Sequence, residues 1–212
     1  MAEVKICGLN DPAGVAAALD GKARWLGFNF FARSPRYVSP ERAAALAGPV
    51  AGRADTVAVT VDADDATLAA IAAALKPDWI QLHGREDPAR AASVRRYARK
   101  GIIKVIGVAD AGDLAAADLF APVVDMVMFD AKAPAGAALP GGNGAAFDWR
   151  MLRGRKVARP WLLSGGLTTE NVAEAVRESG AIAVDVASGV ESAPGVKDAL
   201  RIARFLAAAR TP

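Results

Sequence analysis

Short apolar runs recur along the chain, separated by longer Ala-rich amphipathic stretches. The runs predict strands near 4–9, 25–30, 55–61, 79–83, 102–108, 125–130, 160–165 and 182–187. Some, such as Thr56-Val57-Ala58-Val59-Thr60-Val61, are near-continuous rather than alternating, as strands covered on both faces of a parallel sheet are. The intervening stretches predict helices near 12–20, 40–47, 64–75, 88–99, 111–120, 169–179 and 196–209. Asp11-Pro12, Ser39-Pro40 and Asp87-Pro88 each set a capping residue before a proline, whose missing N–H costs nothing in the first helical turn. The stretch after the sixth strand differs: Gly136, Pro140, Gly141, Gly142 and Gly144 precede a short helix near 147–153.

Strands alternating with helices leave a closed barrel or a doubly wound open sheet. Eight strands favour a parallel (β/α)₈ barrel, the TIM barrel, and 212 residues suffice for one, at the short end of a usual size of roughly 200 to 400 residues. No Gly-x-Gly-x-x-Gly fingerprint follows the first strand, as a dinucleotide-binding sheet would require. With no linker, charge block or low-complexity tail, 1–212 reads as a single (β/α)₈-barrel catalytic domain.

Composition narrows the chemistry. Hydrophobic residues make up 53% of the chain, enough for a sizeable core. The 26 basic and 23 acidic residues nearly balance. The basic cluster Arg95, Arg96, Arg99 and Lys100 reads as a solvated helix face, and no interleaved aromatics make it a nucleic-acid surface. One cysteine excludes an internal disulfide, and one cysteine with one histidine leaves too few ligands for a protein zinc site, so no metal is expected. No apolar stretch is long enough to span a bilayer, and no signal peptide precedes Val4-Lys5-Ile6-Cys7. The expectation is a cytoplasmic protein without membrane partners.

Active sites of such barrels lie at the C-terminal ends of the strands. Gly165-Gly166 after the seventh strand and Ser188-Gly189 after the eighth fall where many barrels bind phosphate. Backbone N–H groups there can approach an anion, and a short extra helix after Ser188 is expected to add its dipole. Ordinary turn glycines are the alternative. Cys7 and Asp130 end the first and sixth strands, where a thiolate could take a proton and a carboxylic acid give one. Such a thiol needs its pKa depressed, by bound substrate or by nearby Lys5. A lone cysteine equally suits a small buried hydrophobe, and an aspartate a cap or turn. Arg36 shares its loop with Arg33 and Tyr37, and its guanidinium suits a carboxylate, although a surface arginine fits the same position. His83, ending the fourth strand, suits substrate orientation or a structural hydrogen bond. Asp185 on the eighth strand is a further candidate for substrate binding. The anion-binding features thus fall in two places, loops seven and eight on one side of the first strand and loop two on the other.

These motifs resemble the phosphoribosylanthranilate isomerase family of tryptophan biosynthesis. The resemblance runs through Lys5-Ile6-Cys7-Gly8-Leu9, Ser34-Pro35-Arg36-Tyr37-Val38, Gln81-Leu82-His83-Gly84, Phe147-Asp148-Trp149, Leu163-Ser164-Gly165-Gly166-Leu167 and Asp185-Val186-Ala187-Ser188-Gly189-Val190-Glu191. It implies an Amadori rearrangement of N-(5′-phosphoribosyl)anthranilate to the 1-deoxyribulose 5-phosphate product, a small phosphorylated substrate and no cofactor. It also implies Cys7 as general base, Asp130 as general acid, Arg36 near the anthranilate carboxylate, and phosphate at Gly165, Gly166, Ser188 and Gly189. Association with an indoleglycerol-phosphate synthase is left open. The sequence departs from the family at Asn143, where the loop Gly141-Gly142-Asn143-Gly144 usually carries threonine, and at Asn29, usually hydrophobic.

Two rival readings use the same barrel. A histidine-pathway aminoaldose isomerase, or one acting on both substrates, would typically carry an aspartate where Cys7 stands. A phosphate-ligand-binding barrel without catalysis shares the fold but gives no reason for Cys7, Asp130 and Arg36 together.

Overall fold

A computed structural model describes residues 1–132 and 146–211. The glycine-rich stretch with Gly136, Pro140, Gly141, Gly142, Asn143 and Gly144 lies outside the described residues. Among the described residues, eight parallel strands close into a barrel in sequence order, the eighth pairing with the first. They are β1 (Glu3–Cys7), β2 (Trp25–Asn29), β3 (Asp55–Thr60), β4 (Trp79–Leu82), β5 (Gly101–Val108), β6 (Met126–Ala131), β7 (Trp161–Leu163) and β8 (Ala183–Val186). The helices are α1 (Pro12–Asp20), α2 (Pro40–Ala47), α3 (Asp65–Leu75), α4 (Pro88–Val94), α5 (Ala116–Phe120), α6 (Val172–Ser179) and α7 (Ala199–Ala208).

Alternate strand residues build two cores, as the period of a strand requires. Inward residues including Val57, Val59, Ile103, Val105, Met126, Met128 and Leu162 fill the barrel. Outward residues such as Ile6, Leu26, Phe28, Ile80, Ile102, Val127 and Phe129 pack with the helices. Both sets are buried, which is why the strands read as near-continuous apolar runs. The proline-led helices begin as the sequence predicts: Asp11, Ser39 and Asp87 accept from the N–H of Gly14, Arg42 and Arg90, each cap contributing about 1 kcal/mol.

Several expectations change: the helix expected over 111–120 opens with a 3₁₀ turn, Asp113–Ala115, before α5, and the short helix expected near 147–153 is a 3₁₀ turn, Trp149–Leu152. The helix expected over 88–99 stops at Val94 and continues as a 3₁₀ turn, Arg95–Tyr97, because the N–H groups of Arg99 and Lys100 turn to the carbonyls of Pro77 and Asp78. The helix expected from 196 starts at Ala199, because a hairpin of β9 (Glu191–Ala193) and β10 (Val196–Lys197) takes the preceding residues. Its turn is Pro194-Gly195, with Gly195 at φ +80°, a conformation glycine adopts without strain. The extra helix expected after Ser188 is a three-residue 3₁₀ turn, Ser188–Val190, too short for a useful dipole.

The basic cluster is a paired surface: Arg96 meets Asp65, Lys100 meets Asp55, and Arg95 and Arg99 lie near Asp125 and Asp78. Among the described residues, no helix is long and apolar enough to cross a membrane.

Candidate active site

The inward parity of the strands carries polar groups to the mouth of the barrel. On β1 it selects Lys5 and Cys7, and on β6 Asp130 above Met126 and Met128. On β8 it selects Asp185, and past β4 it reaches Gln81 and His83. Around the ring the order is β6, β7, β8, β1, β2. The loops bearing Gly165-Gly166 and Ser188-Gly189 therefore follow the two strands that separate Asp130 from Cys7.

Lys5 and Asp185 are register partners on adjacent strands, so their side chains share the barrel interior. Lys5 Nζ donates to Asp185 Oδ1 at 2.6 Å, and Ser164 Oγ donates to Asp185 Oδ2 at 3.1 Å. Cys7 pairs in register with Gly27. A Cβ at Gly27 would stand 3.2 Å from both Cys7 Sγ and Lys5 Nζ, so this glycine leaves room for thiol and ammonium side by side. Burial pushes the Cys7 thiol up, Lys5 draws it down, and the balance is a pKa above the ordinary thiol value. That corrects the expectation of a depressed thiol: Lys5 offsets only part of the desolvation in the protein alone. Burial also works against the Lys5 ammonium, but Asp185 and Cys7 outweigh it and raise its pKa.

Asp130 is buried at the end of β6, with Oδ1 accepting from the Ala131 N–H at 2.9 Å and Oδ2 3.3 Å from His83 Nε2. The Gln81 amide lies 3.4 Å from His83 Nδ1. With that amide donating, the imidazole proton sits on Nε2 and faces Asp130. Gln81 Oε1 has no partner among the described residues. Beyond His83, the loop is pinned by Glu86, which accepts from Lys104 Nζ at 2.7 Å and from the N–H groups of Asp62 and Gly84.

Loops seven and eight pack closely through their glycines. Gly165 at φ +91° passes so close to β6 that a Cβ would stand 2.6 Å from the Ala131 nitrogen, and Gly166 has φ +63°. A Cβ on Gly189 would collide with the Leu167 carbonyl oxygen, so glycine there lets the two loops touch. Asn171 fixes loop seven by donating to the Gly166 carbonyl at 2.9 Å. Among the described residues, no hydrogen bond uses the N–H of Gly165, Gly166, Ser188 or Gly189.

Arg36 is buried, whereas Arg33 and Tyr37 of the same loop stay exposed. Its Nε and Nη2 donate to Glu191 Oε1 and Oε2 at 2.7 and 2.9 Å. Lys197 Nζ also donates to Glu191 Oε1, at 2.7 Å, and to the Ala187 carbonyl at 2.8 Å. Burial opposes the Glu191 charge, but Arg36 and Lys197 hold its carboxyl below the ordinary range. Burial lowers the pKa of Lys197, with Glu191 opposing, and the net direction is down. The loop-two arginine is thus joined to Glu191, in the segment after β8. The β9–β10 hairpin makes this possible, with Gly195 seated against the Pro35 carbonyl. Sequence reasoning missed the parts played by Glu191 and Lys197; the Pro194-Gly195 dipeptide was the available signal. Asn29 Oδ1 accepts from the Phe31 N–H at 2.8 Å, so this departure from the family shapes the turn into loop two. Among the described residues, no group of three or more His, Cys, Asp or Glu side chains could hold a metal ion.

The model of the N-(5′-phosphoribosyl)anthranilate isomerase family matches residues 4–208. The N-(5′-phosphoribosyl)anthranilate isomerase of Paracoccus denitrificans is 54% identical over 209 residues, covering 99% of this chain and 97% of that one. Its counterpart from Paramagnetospirillum magneticum is 50% identical over 98% of this chain and 97% of its own. Among solved structures, phosphoribosyl anthranilate isomerase from Thermotoga maritima superposes with a TM-score of 0.88 at 32% identity, covering 99% of both chains. A phosphoribosyl anthranilate isomerase in complex with reduced 1-(o-carboxyphenylamino)-1-deoxyribulose 5-phosphate superposes with a TM-score of 0.85 at 29% identity, also over 99% of both.

Proposed function

Because this chain belongs to the N-(5′-phosphoribosyl)anthranilate isomerase family, we propose that it converts N-(5′-phosphoribosyl)anthranilate to 1-(2-carboxyphenylamino)-1-deoxyribulose 5-phosphate, with Asp130 as acid and Cys7 as base. The observation that carries the assignment of roles is the placement of these two buried groups. Both stand on the inward parity at the ends of β1 and β6, and loops seven and eight fill the arc between them.

In this reading Asp130 gives its proton to the ribose ring oxygen. The C1′–O4′ bond breaks as the anilino nitrogen forms a double bond to C1′. The Cys7 thiolate then takes the C2′ proton, and the electron pair moves through C1′ to nitrogen, leaving an enolamine. Ketonisation places a proton on C1′ and removes that of the C2′ hydroxyl, after which thiolate and acid are reset. Each positioned proton transfer is worth about 10² to 10⁴ in rate. His83 orients the Asp130 carboxyl, and the Lys5 ammonium stabilises the thiolate.

The phosphate sits on the N–H groups of Gly165, Gly166, Ser188 and Gly189, and Arg36 receives the anthranilate carboxylate. Two anchors remote from C2′ hold the reacting atoms in place, so binding energy serves the chemical step. Asp185, engaged by Lys5 and Ser164, acts on the substrate chiefly through Lys5. The direct test is the loss of phosphoribosylanthranilate fluorescence on adding the purified protein. Turnover is expected, and its absence with soluble, folded protein would defeat this reading.

A further inference from the structure

Arg36 has only one of its two forked edges to offer. The edge formed by Nε and Nη2 is filled by Glu191. Of the five N–H groups of a guanidinium, three then remain, two of them on the fork formed by Nη1 and Nη2. Glu191 is itself saturated. Its Oε1 accepts from Arg36 and Lys197, and its Oε2 from Arg36 and from the Gly195 N–H at 3.2 Å. The Glu191 and Lys197 side chains are 4% and 0% exposed. On its far side the Arg36 stem lies against the end of β1: Gly8 has φ +74°, and a Cβ there would stand 2.5 Å from Arg36 Cδ. The Arg36 side chain is thus held by Glu191 at its guanidinium and by Gly8, the residue after Cys7, at its stem.

Charge gives the arrangement its second property. An arginine neutralised by a glutamate has little net attraction for another carboxylate. Here a buried lysine shares the same glutamate, so the three side chains sum to +1. We propose that Glu191 and Lys197 are specificity-determining positioning residues. Glu191 fixes the plane of Arg36 so that its free edge faces an arylcarboxylate, and Lys197 keeps the cluster cationic so that this carboxylate is held. The inference rests on the reading of Arg36 as the carboxylate ligand.

The test compares kcat/KM for N-(5′-phosphoribosyl)anthranilate with that for N-(5′-phosphoribosyl)aniline, which lacks the carboxylate. The ratio of the two is read from the active fraction, so partial unfolding cancels. Arg36→Ala should bring the ratio near one. Glu191→Gln puts an amide N–H₂ among donors that all need an acceptor, and Lys197→Met neutralises the cluster. Each should lower the ratio by about tenfold, chiefly through KM of the carboxylated substrate. Glu191→Asp, which keeps the charge, should recover part of it. If Arg36→Ala lowers the ratio while Glu191→Gln and Lys197→Met leave it at the wild-type value, the inference is overturned and the reading of Arg36 stands. If Arg36→Ala also leaves the ratio unchanged, that reading falls and the inference with it.

Discussion

Lys5 Nζ lies 2.6 Å from Asp185 Oδ1, one step deeper in the barrel than Cys7 and on the same face of the same strand. The pair is buried, and it sets the electrostatic surroundings of the thiol. Burial raises the thiol pKa and Lys5 opposes it. The limb of the free-enzyme kcat/KM profile that reports Cys7 ionisation should therefore lie above the ordinary thiol value. Lys5→Met removes the cation and leaves Asp185 facing the thiol, so that limb should move to higher pH by about one unit. A pH–rate profile checks this, and a limb at the wild-type position would mean that Lys5 does not act on Cys7.

His83 stands 3.3 Å from Asp130 and is approached by Gln81 from behind. His83→Ala should lower kcat by about tenfold while KM changes little, because the acid loses its orientation and the substrate keeps its anchors. Steady-state kinetics decide. A change confined to KM would make His83 a binding group instead.

Phosphate inhibition separates the two ends of the substrate. Gly166→Val places a side chain at φ +63°, where glycine is favoured, and should abolish competition by inorganic phosphate. Arg36→Ala should weaken kcat/KM by about tenfold or more yet keep that competition. Inhibition constants for both variants test the assignment, and the reverse pattern would exchange the two ends.

The loop carrying His83 depends on a buried ion pair. Glu86 accepts from Lys104 at 2.7 Å, and the two side chains are 3% and 4% exposed. Glu86→Ala strands the lysine in an apolar setting beside Phe120. The expected loss is about 3 to 5 kcal/mol, measured as a fall in urea midpoint at unchanged slope. A loss below about 1 kcal/mol would indicate that Lys104 reaches water.

The parts legible in the sequence are those set by local pattern. The strands are apolar on both faces, and Asp11, Ser39 and Asp87 announce their helices. The strand-end rule then brings Cys7, Asp130, His83 and the loop glycines to one mouth. What stayed hidden depends on residues far apart in the chain. Arg36 and Glu191 are 155 positions apart, and their pairing requires a hairpin whose Pro194-Gly195 turn is easily read as the approach to α7. The direction of the Cys7 shift likewise depends on burial, which spacing to Lys5 alone does not reveal.

In the proposed mechanism, Cys7 and Asp130 exchange the two protons of the rearrangement. Turnover of phosphoribosylanthranilate by Cys7→Ala and Asp130→Asn, followed by loss of substrate fluorescence beside the wild-type protein, tests both roles. Each variant should lose about 10² to 10⁴ in kcat while staying folded. Near-wild-type turnover by either one would contradict the role given to that residue.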